Sequence, residues 1–149
     1  MSILEFKDLN IKLKNTNTNL ISNLSFELNR GEALGIVGES GSGKSLTALS
    51  SLGLLNDNIF ACSGEIIFED NNILDLPSNE LSAIRGNKLS MIFQEPMLSL
   101  NPVKSLKSQI DECVELSDDN LTLNDVHETL TSVGLIDIDK ILSSYPHML

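Results

Sequence analysis

Apolar and polar side chains alternate near the start of the chain, where Leu9, Ile11 and Leu13 interleave with Asn10, Lys12 and Lys14. A period of two marks a strand with one face covered and the other in water. The polar residues 15–19 predict a turn, after which Leu24, Phe26 and Leu28 alternate with Ser25 and Glu27. The opening therefore predicts an antiparallel pair of strands that closes at Asn29, Arg30 and Gly31. Residues 33–37 break the pattern with a compact apolar run, which predicts a strand covered on both faces in a parallel sheet. Glycines follow, and then Leu46, Ala48, Leu49, Leu52 and Leu55 recur at helical spacing until Asn56, Asp57 and Asn58. Residues 65–68 and 89–93 predict two more strands, the first entered through Ser63 and Gly64. Beyond Pro102 the period lengthens. Val103, Leu106, Ile110, Cys113 and Val114 mark one amphipathic helix, and Leu123, Val126, Leu130 and Val133 a second. Thr122 or Asn124 suits the N-cap of that second helix, and Gly134 its C-terminal stop.

Strands first and helices later give an α/β chain, and 149 residues suit one domain. The 21 acidic and 10 basic residues leave a formal net charge of −11. That balance opposes a grip on nucleic acid or on an anionic membrane surface, but a single nucleotide can still be held by a few aimed amides and one lysine. Cys62 and Cys113 lack the paired spacing of a zinc or redox motif, which suits a reducing cytosol. Residues 1–7 hold no apolar stretch of signal-peptide length, and no window nears the roughly 20 apolar residues that span a bilayer. Direct membrane insertion is not expected, so any membrane association goes through a partner.

The glycines carry the chemistry. Gly38, Glu39, Ser40, Gly41, Ser42, Gly43, Lys44 and Ser45 satisfy the pattern G-x-x-x-x-G-K-S/T in full. Glycines bring backbone N–H groups close to phosphate oxygens, Lys44 reaches the β- and γ-phosphates, and Ser45 offers a hydroxyl to Mg²⁺. The helix that starts there aims its unpaired amides and positive dipole end at the same anion. A chance match in a chain of this length has odds on the order of one in a few hundred. The cradle fixes nucleotide binding but not reaction class, since kinases, GTPases and transport ATPases share it.

A later segment chooses among them. Met91-Ile92-Phe93-Gln94-Glu95-Pro96, followed by Ser99-Leu100-Asn101-Pro102, resembles the glutamine loop of ABC transporter ATPases, in the form found in subunits that power dipeptide and oligopeptide importers. Residues 35–45, 85–88 and 145–147 extend the resemblance over nearly the whole chain. It implies a P-loop NTPase fold of the ABC type, with residues 1–95 as a β-rich nucleotide-binding core and residues 96–149 as the start of a helical subdomain. It also implies ATP and Mg²⁺ as cofactors, with Gln94 coordinating Mg²⁺ or positioning the attacking water. Transmembrane permease subunits and a second ATP-binding subunit are the implied partners, and the cytoplasmic face of the cell membrane the implied location. An amide suits the role of Gln94, offering a donor and an acceptor without a charge.

Two departures stand out. The family places an aromatic side chain near the end of the first strand to stack on adenine, and here that position is Leu13, a contact without a π-face. The family also continues past the equivalent of Leu149 into a signature motif, an Asp-Glu pair closing a strand and a switch histidine. The apolar runs 34–37, 52–55 and 59–62 end in Gly38, Asn56 and Ser63, so none supplies that carboxylate. Slow turnover and no productive pairing of two copies are therefore expected. An inactive remnant or half of a split subunit is a second reading, and a P-loop kinase with Arg30 or Arg85 near the phosphates a third. His127 and His147 lack metal-ligand company. Asp111, Glu112, Glu115, Asp118, Asp119, Asp125 and Glu128 make the later helices acidic, a solvated face or a docking surface.

Overall fold

The computed structural model describes residues 2–117 and 121–149, so Asp118 and Asp119 lie outside the described residues. The chain divides into two compact units, Met1–Ser90 and Met91–Leu149.

In the first unit the alternating opening forms an antiparallel hairpin of β1 (Ser2–Leu13) and β2 (Asn19–Asn29). Leu13 N–H closes the turn on Thr18 O at 3.0 Å. A third strand, β3 (Phe60–Phe68), pairs with the other edge of β1, and the short β4 (Asn71–Asn72) with β3, giving the order β2-β1-β3-β4, antiparallel throughout. As an inner strand, β1 has Leu9 and Ile11 fully buried, and Phe6 stacks on Phe26 with ring centres 4.3 Å apart. Helix α1 (Lys44–Ser51) contributes Leu46 to this core, and α2 (Ser78–Ile84) contributes Leu81 and Ile84.

Strand β3 is longer than the sequence predicts, because Ser63 and Gly64 sit inside it. Gly64 has φ +95°, and Lys7 pairs with Glu65 whereas Asn10 pairs with Ser63, so Asp8 and Leu9 face one residue. This is a β-bulge, which reads in sequence like a turn because it uses the same residue type. Side chains replace ladder bonds around it: Asp8 N–H donates to Ser25 Oγ at 2.9 Å and Asn23 N–H to Asn10 Oδ1 at 3.0 Å.

Two predicted strands are not formed. Residues 33–37 belong to no strand, Ile36 is 48% exposed and Val37 92%. Residues 89–93 make only an isolated parallel bridge, Arg85 to Leu89. A doubly covered strand needs a hydrogen-bonded neighbour on each side. Among the described residues every ladder is antiparallel, and none lies beside either segment.

The second unit is helical, with a 3₁₀ turn (Pro96–Ser99), α3 (Leu106–Glu115), α4 (Leu123–Ser132), α5 (Ile138–Ser143) and a final 3₁₀ turn (Pro146–Met148). Ser105 caps α3. Thr122 and Asp125 form a capping box on α4, and Gly134 follows that helix at φ +86°. Leu106 and Leu142 are buried, and Leu106 N–H reaches Ser144 O at 2.9 Å. No helix among the described residues is long and apolar enough to cross a membrane.

Candidate functional site: the glycine loop before α1

Chain geometry makes the loop. Gly41 and Gly43 take φ +82° and +94°, a region closed to most side chains, and Gly43 is the N-cap of α1. Ser42 N–H closes a tight turn on Glu39 O at 3.2 Å. The first intrahelical bond is Thr47 N–H to Gly43 O at 2.9 Å, so the amides of Lys44, Ser45 and Leu46 precede it without an acceptor in their own helix. No acidic side chain occupies that first turn to neutralise them. The loop also rests on the sheet: a Cβ at Gly43 would lie 3.0 Å from Ile21 Cγ1, so bare backbone is required there.

Lys44 folds over this turn. Its ammonium donates to Gly38 O at 2.8 Å and Glu39 O at 2.7 Å, and lies 3.3 Å from Ser42 Oγ. A cation held by carbonyls above uncapped amides makes a positive hollow in an otherwise acidic chain. Residues 38–42 and Ser45 are exposed and open to a ligand. The donor set fits a phosphate: main-chain amides, one ammonium and the Ser45 hydroxyl. The Ser45 hydroxyl is the metal ligand in this donor set, and no group of three or more His, Cys, Asp or Glu that could hold a metal ion occurs among the described residues. Mg²⁺ there would rely on the phosphates it accompanies.

Of the other predicted residues, Leu13 ends β1 in the same unit, half-buried and opposite Phe60. Gln94 belongs to the second unit, exposed in a bend. Arg30 and Arg85 are both engaged elsewhere. Arg30 pairs with Glu69 at 2.7 Å, and Arg85 binds Leu52 O at 2.7 Å and Gly53 O at 2.6 Å, capping the end of α1. His127 faces Asp139 at 3.6 Å, and His147 stacks on Tyr145. Asp111 pairs with Lys107 and Glu112 with Lys104, so part of the acidic face is locally balanced.

A hollow of about 370 Å³ beside the loop, between Leu24 and Phe26 on one side and Ile36 and Val37 on the other, was not foreseen. Its only sequence signal is the apolar run 33–37.

The ABC transporter family model matches residues 21–149. The chain is 38% identical to the dipeptide transport ATP-binding protein DppD of Lactococcus lactis subsp. cremoris, an alignment covering 97% of this chain and 43% of the relative. It is 39% identical to the oligopeptide transport ATP-binding protein OppD of Haemophilus influenzae, covering 97% and 46%. It thus spans less than half the length of these relatives. The ATP-binding cassette MJ0796, solved with ADP and Pi, superimposes with a TM-score of 0.76 at 20% identity, covering 98% of this chain and 62% of that one. A second solved chain, the ATP-binding subunit of an ABC transporter, gives 0.63 at 21% identity, covering 99% and 56%.

Proposed function

Since this chain belongs to the ABC transporter ATP-binding family, we propose that residues 38–45 hold the phosphates of Mg-ATP and that the chain acts in energy coupling for a peptide importer. The observation that carries this reading is the glycine turn that leaves the first amides of α1 uncapped beneath the Lys44 ammonium. Gly38, Glu39, Ser40, Gly41, Ser42 and Gly43 would wrap the triphosphate, Lys44 would neutralise it and Ser45 would offer its hydroxyl to Mg²⁺, while Gln94 keeps the role of Mg²⁺ ligand or water-positioning residue that the family resemblance implies. Residues 1–95 would serve as the nucleotide-binding core and residues 96–149 as the start of a helical subdomain. The peptide substrate class is inferred from the relatives, as are permease subunits and a second ATP-binding subunit as partners at the cytoplasmic face of the membrane.

Hydrolysis requires more than binding. In-line attack on the γ-phosphorus needs a carboxylate to orient water, and none of the runs 34–37, 52–55 and 59–62 ends in one. Slow turnover follows. The kinase reading loses support because Arg30 and Arg85 are committed to Glu69 and to the carbonyls after α1.

Titration with a fluorescent ATP analogue, with and without Mg²⁺, tests the assignment alongside phosphate release. Lys44→Ala removes charge-assisted bonds worth about 1.5–3 kcal/mol, so affinity falls roughly tenfold or more. Equal binding by parent and variant refutes the phosphate loop, and brisk phosphate release by the chain alone refutes the missing carboxylate.

A further inference from the structure

We propose that Phe60, on β3, supplies the ring on which the nucleotide base stacks, an inference that rests on the phosphate-loop reading above. Three observations place it. The loop lies on the sheet face that carries Ile21, since Gly43 leaves no room for a side chain against Ile21 Cγ1. Ile21 pairs with Ile11 and Ile11 with Cys62, a row of cross-strand neighbours on that one face. Two residues farther along, Leu13 pairs with Phe60, so both project from the same face.

The reach is right. Strands lie about 4.8 Å apart and rise about 3.3 Å per residue, which puts Phe60 roughly 12 Å from Ile21. That matches an extended nucleoside triphosphate from its terminal phosphate to its base.

Within the first unit Phe60 is also the phenylalanine left over. Phe6 and Phe26 stack on each other and Phe68 is buried, whereas Phe60 is half-buried and, among the described residues, stacks on no other ring. Its backbone is fixed, with Phe60 N–H on Asn56 O at 2.9 Å and Lys14 N–H on Ile59 O at 2.9 Å beside it. Leu13 would complete an apolar platform whose π-face comes from the neighbouring strand.

The test compares ATP with inorganic tripolyphosphate, which has the phosphates and no base. Phe60→Leu keeps an apolar side chain on the core and is expected to weaken ATP binding about fivefold while leaving tripolyphosphate unchanged. The chain has no tryptophan. Phe60→Trp therefore adds a sole reporter whose fluorescence should change with ATP and not with tripolyphosphate, and whose ATP affinity should equal or exceed the parent's. Equal loss for both ligands in Phe60→Leu, no loss for either, or a tryptophan blind to ATP overturns this inference alone. If Lys44→Ala binds both ligands as tightly as the parent, the phosphate-loop reading falls and takes this one with it.

Discussion

At Gly64 the backbone runs through φ +95°, and an added Cβ would sit 2.4 Å from Asp8 O and 2.6 Å from Lys7 O. Those neighbours are main chain and cannot swing aside. Gly64→Ala should therefore cost about 2 kcal/mol or more, from backbone strain plus the clash with β1. A urea unfolding curve reads the loss as a lower midpoint, and an unchanged midpoint would mean that the bulge relaxes. The two thiols differ for an equally local reason. Burial raises the Cys62 pKa above its ordinary value, with Asp57 adding to the rise and Lys14 opposing it, whereas Cys113 is exposed. Since the thiolate is the nucleophile, iodoacetamide at neutral pH should alkylate Cys113 well before Cys62, as peptide mass spectrometry would show.

Among the elements, α4 depends on its first turn. Thr122 Oγ1 accepts from Asp125 N–H, and the Asp125 carboxylate accepts from the Thr122 hydroxyl at 2.6 Å and from Thr122 N–H at 2.7 Å, holding its carboxyl below the usual carboxylate range. Thr122→Ala should destabilise this helix by about 1 kcal/mol, seen as faster amide exchange over residues 123–132. Elements of this kind are legible in sequence because both cap and periodicity are local. The β1–β2 hairpin, α3 and α4 follow largely from spacing, although Val103 lies before α3, and α1 ends at Ser51 with Leu52 and Leu55 of the predicted pattern beyond it. Helices α2 and α5, with 7 and 6 residues, are too short to establish a period. Residues 33–37 and 89–93 read as strands yet join no ladder for a different reason: an apolar run records what a strand requires on its faces, not whether a partner lies beside it. At the site, the glycines and Lys44 could be read from the motif. The clasp of Lys44 on Gly38 and Glu39, and the register that sets Phe60 against Leu13, arise only when distant segments meet.

Across the first unit, Glu69 ties together segments far apart in sequence, binding Lys88 at 2.8 Å and Arg30 at 2.7 Å. Lys88 first, and then Arg30, hold its pKa below the ordinary value. With a depressed folded-state pKa, its stabilising effect is full above the unfolded value and fades as pH falls through the folded one. The melting temperature of the parent should exceed that of Glu69→Gln near neutrality by a small margin, as expected for solvent-exposed pairs. The gap should close only well into the acid range, and a gap independent of pH would exclude the charge as its source. The open run before the glycine turn matters at this scale too. The cradle is anchored through α1 and Ile21 on one side, while residues 33–37 on the other side join no ladder. Stilling backbone that retains its freedom costs about 1–2 kcal/mol per residue. On the proposed reading, an anion held at the amides would also set the conformation of residues 33–37, which enter the loop without a strand's hydrogen bonds.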